Sequence, residues 1–466
     1  MSLNPGCQIF EIGTGKVRFA TPFTAGVSIS ASPSGAQLSG TTITFTATPV
    51  NGGSPSYQWK VNGGNVGTNS NTYASSSLVT GDAVLCVMTS TVVHVSGNPA
   101  TSNTITMIIT GFSVISGGQM QGYYIRASDG TGFAWGSGNS GGLGLNSTAT
   151  KYVPNAICGS HIFTTFGETS FSTTQGIDSA GKCWGWGYNS DTFSKGGNVG
   201  DNTVVNRCTP VAVYGNHTFC KVQGFYDGGF VAIDKNGQGW AWGANIYGQH
   251  GDGGTTRTST PKAVYGAHTF CKIVNGHGTA MLVIDNNGKA WGWGRNYRGV
   301  IGDNSGTNRY TPVAVGGTHT FCMISTGYLG SAAIDNHGKG WAWGAGQCIG
   351  INNNNDVSTP VAIYGNHTFC QISQGDYFGI GIDNHGAAWA WGLNNDGKTG
   401  LNWTNSFQSI PTAVCGGHTF CRIFCSNRMS YALDNHNVLW GWGYNGDGRI
   451  GDNTTTNRCV PVAVCV

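Results

Sequence analysis

Residues 268–315 read HTFCKIVNGHGTAMLVIDNNGKAWGWGRNYRGVIGDNSGTNRYTPVAV, and four short runs in this stretch carry the apolar patterning of β-strands: HTFCKI, AMLVID, KAWGWG and TPVAV. Alternation is strict in the third. Trp291 and Trp293 fall on one face while Ala290, Gly292 and Gly294 fall on the other, because successive strand side chains point to opposite sides. A bulky face opposite a small one suits sheets that stack face to face. Between the second and third runs, Asp285-Asn-Asn-Gly288 supplies a tight hairpin turn with glycine for its left-handed position.

The same pattern recurs along the chain. A Trp-Gly pair stands at Trp135, Trp186, Trp242, Trp293, Trp343, Trp391 and Trp442, at intervals of 51, 56, 51, 50, 48 and 51 residues. Seven units of about fifty residues therefore run from about residue 111 to the end. Four strands per unit with no helical period predict a β-propeller. A solenoid is the alternative, but its terminal repeats need polar outer faces. The first and last units here look like the middle ones, which suits a closed ring.

These residues carry a family resemblance. The segment AIDNHGKGWAWGAG…TPVAIYGNHTFCQIS, with its hairpin turn, W-G, G-D loop and T-P-V, resembles the repeat of the regulator of chromosome condensation family. The resemblance covers about 356 of 466 residues. It implies a seven-bladed propeller closed by pairing strands from the two chain ends, here Pro461–Val464 and Phe112–Ile115. Members of the family exchange nucleotide on a small GTPase, bind chromatin or inhibit β-lactamases, so fold leaves function open.

Residues 28–110 have a different character, with Ser/Thr-rich alternation in TTITFTATPV, SYQWKVNG, AVLCVMTS and NTITMIIT, separated by turns at Asn51-Gly-Gly53 and Asn62-Gly-Gly64. Trp59, 27 residues before Cys86, resembles the C-strand tryptophan and F-strand cysteine of an immunoglobulin-like sandwich of the bacterial and phage surface kind. The B-strand segment TFTATP has no cysteine and Val84 stands where a corner tyrosine is expected, so the inter-sheet disulfide and the tyrosine corner should be missing. The expected fold class is all-β: an attachment arm at 1–27, an immunoglobulin-like β-sandwich at 28–110 and a seven-bladed β-propeller at 111–466.

Composition narrows the function. Charged residues make up only 9% of the chain against about 25% in an ordinary soluble domain, and Gly 77 with abundant Asn, Ser and Thr fills the surface instead. A net charge of +3 without a Lys/Arg run gives no footprint for nucleic acid. No apolar run approaches a membrane span. The start MSLNPGCQIFEIGTGKVRF shows no basic segment followed by an apolar one, so no secretory signal is expected. Fifteen cysteines, with no C-x-x-C pair, argue against a disulfide framework.

The recurrent HTFC invites a metal or disulfide reading. Across the units its phenylalanine is constant (Phe112, Phe163, Phe219, Phe270, Phe321, Phe369, Phe420), while the next position is Ser113, Thr164 and then Cys220, Cys271, Cys322, Cys370 and Cys421. That position wants a small, weakly polar side chain rather than a thiolate. Away from the axis, equivalent positions also fan apart beyond disulfide reach and supply no four convergent ligands. His161, His217, His268, His319, His367 and His418 read as structural groups bonding a neighbouring loop or backbone. His337, His385 and His436 occupy hairpin turns. Asp178, Asp234, Asp285, Asp335, Asp383 and Asp434 begin the hairpin turns, and Asp201, Asp252, Asp303 and Asp452 lie in G-D loops with one carboxylate each, poor provision for calcium. No pair of acids is set apart as a general acid and base. No catalytic residue, cofactor or metal is expected.

Partner binding is expected where the repeat breaks. The longest interval contains YNSDTFSKGGNVGDNTVVNRC, whose excess length falls near Thr192, Phe193, Lys195 and Asn198. Tyr247 and Trp403 are candidate stacking residues for sugars. The expected role is that of a non-enzymatic structural or recognition protein on a particle surface, a phage virion fibre or decoration protein. Its arm would join virion or cell-surface assembly proteins in many copies or as a homo-oligomer, and its propeller would meet a host glycan or surface receptor. A cell-surface adhesin or filament subunit is the alternative; a guanine-nucleotide exchange factor fits least.

Overall fold

The computed structural model describes residues 9–12, 16–19, 23–34, 37–38, 42–79, 81–107, 109–110, 112–117, 120–127, 129–168, 172–190, 196–226, 228–273, 278, 280–404 and 406–465. They form an all-β protein whose helical content is limited to short 3-10 turns, in two compact units, 1–111 and 112–465.

In the first unit, Ile9–Ile12 and Lys16–Phe19 make an antiparallel hairpin. Two larger sheets follow. Gly26–Ser32, Ile43–Val50 and Thr72–Ser75 build one; Ser56–Val61, Gly64–Val66, Ala83–Thr89, Ala100–Thr101 and Ile105–Thr106 build the other. Alternation explains their packing: Ile43, Phe45 and Ala47 point inward from one sheet, and Trp59, Val84 and Cys86 from the other, into one buried cluster. Trp59 lies opposite Cys86 in register, and its indole N–H donates to the Ser70 carbonyl at 2.9 Å. Cys86 is free, with Phe45 and Ala47 on the strand that would have to supply a partner. Burial pushes its thiol up to about 11, which keeps it neutral and inert.

In the second unit the described residues form seven four-stranded antiparallel sheets, each from one contiguous repeat. In the repeat read above the strands are Phe270–Ile273, Ala280–Asp285, Ala290–Gly294 and Arg309–Ala314, matching the four apolar runs. The first strand begins at the phenylalanine, so the preceding His and Thr lie in the approach to it and not on it.

Contacts between neighbouring sheets follow from the W-G-W alternation. The second tryptophan of every unit is fully buried. In four units its indole N–H reaches a backbone carbonyl of the preceding sheet, Trp186 to Gly142 at 3.0 Å, Trp242 to Asn198 at 3.1 Å, Trp293 to Gln249 at 2.8 Å and Trp343 to Val300 at 2.8 Å, whereas Trp391 Nε1 and Trp442 Nε1 have no hydrogen-bond partner among the described residues. The glycine of each G-D loop is required at this contact. A Cβ on Gly251, already at φ +65°, would stand 2.8 Å from the Trp293 indole nitrogen. The glycine after the second tryptophan is equally constrained: Gly187 has φ +103°, and a Cβ there would meet the Ser172 carbonyl oxygen at 2.0 Å.

Closure differs from the expectation. Phe112–Gly117 pairs within the first sheet and Arg458–Ala463 within the last, so strands from the two chain ends do not share a sheet. The first and last sheets join face to face instead. Trp135 donates to the Arg449 carbonyl at 2.8 Å, and its ring packs edge-on against Tyr431 at 5.7 Å. The inter-sheet tryptophan clasp thus joins last to first by the device used at four of the other junctions.

Candidate recognition face

The repeated polar residues are the framework. Each hairpin aspartate caps its turn with one carboxylate oxygen and accepts the first tryptophan's indole N–H with the other: Asp285 Oδ1 receives the N–H groups of Asn287 and Lys289 at 2.9 and 3.0 Å, and Oδ2 receives Trp291 Nε1 at 2.9 Å. Such bonds to a carboxylate are the stronger kind. They hold the carboxyls of Asp335 and Asp383 below the usual range despite partial burial. The histidine then stacks on that fixed indole, with centroids 4.0 Å apart for His161 and Trp184 and 3.8 Å for His319 and Trp341. Its role is ring packing, not the hydrogen bond expected from the sequence. In the turns, His337 and His385 contribute their backbone N–H to Asp335 and Asp383.

The cysteine row has a local explanation as well. A β-bulge falls between Phe219 and Lys221, between Phe270 and Lys272, and at the same place in the other units, so the residue between them sits out of register. Its side chain satisfies a carbonyl across the bulge. Cys220 donates to the Ile233 carbonyl at 3.4 Å, Cys271 to Ile284 at 3.4 Å, Cys322 to Asp335 at 3.4 Å, and Thr164 to Ile177 at 3.1 Å. Cys, Ser and Thr share a donor one bond from Cβ. The row lies on the first strands, several of which contact their neighbours. The thiols are nevertheless free.

The G-D loop acids are also internally committed. Asp201, Asp303 and Asp452 pair with Arg207, Arg309 and Arg458 at 2.6 Å each, and Asp252 with Lys262 at 2.5 Å. Asn296 Nδ2 and Asn445 Nδ2 add hydrogen bonds to Asp303 and Asp452. Among the described residues no group of three or more His, Cys, Asp or Glu is arranged to hold a metal ion.

Of the residues singled out in the sequence, Thr192, Phe193 and Lys195 lie outside the described residues. Asn198 is fully buried, and its carbonyl receives Trp242. Trp403 is 37% exposed, with its carbonyl receiving Asn394 Nδ2. Tyr247 is half-buried and belongs to a larger cluster that the sequence did not reveal.

That cluster occupies the end of the second unit where first strands turn into second strands. Arg295 lies over three tyrosine rings, Tyr247 at 4.8 Å, Tyr297 at 5.3 Å and Tyr328 at 5.5 Å, and donates to the Tyr328 hydroxyl at 3.1 Å. Among the described residues it has no carboxylate partner. Tyr328 in turn packs against Tyr226 at 5.0 Å and Tyr377 at 6.1 Å, so residues from the third to sixth sheets converge. Beneath them Asp376 is fully buried. Burial pushes its carboxyl up to about 7, with Lys398 opposing that shift, and one of its oxygens has no hydrogen-bond partner. Lys398 is buried beside the Tyr377 and Phe378 rings, and burial lowers its amine to about 8. Tyr226, Tyr328 and Tyr377 stand at different distances before their second strands, which begin at Gly229, Gly330 and Phe378, and this conceals the cluster in a sequence aligned on those strands.

The repeated sheet, its tryptophan clasp and its hairpin define a repeat β-propeller, and this fold is similar to that of RCC1-repeat proteins. Comparison with known proteins agrees. Residues 369–398 match the regulator of chromosome condensation (RCC1) repeat. Among solved structures, human WBSCR16 superposes with a TM-score of 0.63 at 18% identity, covering 72% of this chain and 93% of that one. Prp20p of Saccharomyces cerevisiae, which binds Gsp1p and histones, superposes with a TM-score of 0.63 at 16% identity, covering 75% and 88%. These likenesses concern the fold. By sequence, the E3 ubiquitin-protein ligases HERC2 of Mus musculus and Homo sapiens are 25% and 24% identical over 184 residues, 37% of this chain. The chain spans only 4% of the length of these relatives.

Proposed function

We propose that the chain is a non-enzymatic recognition protein, a closed seven-bladed propeller preceded by an immunoglobulin-like sandwich, displayed on a particle as a phage virion fibre or decoration protein. The observation that carries the recognition role is the tyrosine–arginine face. Tyrosine and arginine are the side chains that dominate binding hot spots, and tyrosine rings also stack on sugars. Here three tyrosine rings lie against one arginine that has no internal counter-charge among the described residues, and two more tyrosines pack on one of the three. The repeated His, Cys and Asp are meanwhile all used by the framework. A host glycan or surface receptor at this face is the proposed partner. Display in many copies through the N-terminal segment is supported by the low charge and by the separate unit ahead of the propeller. Quantitative mass spectrometry of purified particles tests display: a fixed copy number per particle is expected, and recovery only as free monomer outside particles contradicts it.

A second reading is favoured by the relatives. Prp20p binds Gsp1p, so a GTPase-regulating role rests on the shared fold. Stimulated guanine-nucleotide release from a small GTPase would support this reading in place of the first.

A further inference from the structure

At the opposite end of the first strands from the tyrosine face, a cavity of about 340 Å³ lies on the axis, lined by the first strands of four consecutive sheets. Its volume lies within the range of small-molecule pockets, about 300–1,000 Å³. Phe166, Val222 and Ile324 contribute buried apolar walls, and Lys221 and Lys272 stand on adjacent first strands at its lining. No lining residue is acidic.

The two lysines are not explained by the fold. At the same strand position the other five units carry Val114, Thr165, Met323, Gln371 and Arg422, four of them uncharged, so no cation is required there for a sheet to form. Lysines and arginines of the G-D loops are paired with aspartates, whereas Lys221 has neither an ion pair nor a hydrogen bond among the described residues. Lys272 donates only to a neutral acceptor, the Cys322 carbonyl, at 2.5 Å. Two like charges beside one concavity repel each other and raise its potential, and a cleft lined by one sign of charge concentrates counter-ions. Its apolar walls favour a ligand with more than a charge to bury.

We propose that this axial cavity binds a small organic anion, a carboxylate or phosphate carried on an apolar ring or chain. Lys221 and Lys272 hold the anionic group, and the Phe166, Val222 and Ile324 side chains cover the body. The site is distinct from the tyrosine–arginine face and stands whether or not that face recognises a receptor.

The protein carries its own reporters, because Cys271 and Cys322 line the same cavity while Cys415 does not. Iodoacetamide labelling read residue by residue by mass spectrometry, with phenyl phosphate as probe, tests the proposal on the full chain. Phenyl phosphate should slow labelling of Cys271 and Cys322 and leave Cys415 unchanged. Benzyl alcohol at equal concentration should give no protection, and added salt should weaken the effect. In the Lys221→Met/Lys272→Met variant, protection should require about tenfold more phenyl phosphate. The Lys221→Arg/Lys272→Arg variant should keep it, which separates lost charge from a disturbed fold. Absent protection, equal protection by benzyl alcohol, or a methionine variant indistinguishable from the parent overturns the site.

Discussion

Cys271 shows how a residue that looks reactive can be structural. Its thiol donates across a bulge, and partial burial raises its pKa. Cys271→Ser should therefore keep thermal stability within about 0.5 kcal/mol of the parent, while Cys271→Val, which leaves the bulge carbonyl unsatisfied, should cost about 1–2 kcal/mol in denaturant titrations. His250 is the reverse case, a residue the framework does not need. It sits fully buried where other units have Val199, Ile301 and Ile450, and neither ring nitrogen has a hydrogen-bond partner among the described residues. Burial lowers its pKa to about 4. Between about pH 4 and 6.5 the unfolded chain binds the proton and the folded chain does not, so this group makes stability rise with pH through that window. His250→Ile should flatten that rise and stabilise the protein by about 1–2 kcal/mol, as measured by melts at pH 4.5 and 7.

At the scale of elements, the strand pattern was legible because alternation in KAWGWG and the hairpin Asp-x-x-Gly repeat in register. The tryptophan clasp was only half legible. Burial of one tryptophan face follows from the alternation, but the acceptor carbonyl belongs to the preceding unit, some forty residues back, and no local pattern encodes that distance. The histidine stack and the Asp–indole bond were hidden for the same reason: each joins residues that meet only once the sheet has formed. The clasp makes a graded prediction. Trp293→Phe removes a bond to the Gln249 carbonyl and should cost about 1 kcal/mol beyond the lost ring volume. Trp391→Phe should cost less, because the Trp391 indole N–H has no partner among the described residues. Trp293→Ala, which empties a fully buried site, should cost about 3–5 kcal/mol.

On the scale of the whole molecule, one device recurs through the propeller, a buried tryptophan clasping sheet to sheet, and at Trp135 it joins last to first. Because these tryptophans are used up by the framework, function falls to the loops, where the repeat loses register. That is also why the candidate site was the least legible part of the sequence. Tyr247 was legible as a candidate sugar-stacking residue, whereas Tyr226 comes from a different loop of the same sheet and Tyr328 and Tyr377 come from two other sheets. Asp376 beneath them adds a pH signature. With its pKa raised to about 7, the folded chain retains a proton that the unfolded chain has lost above about pH 4, so this group makes stability fall from about pH 4 to 7. Asp376→Asn should remove that fall in melts across the range. The central claim, that the tyrosine–arginine face recognises a surface ligand, is tested most directly on an array of bacterial surface polysaccharides. The parent protein should bind a discrete set of glycans and the Tyr226→Ala/Tyr328→Ala variant, folded by its melt, should lose them; a parent that binds none, or a variant that keeps the same set, would contradict the account.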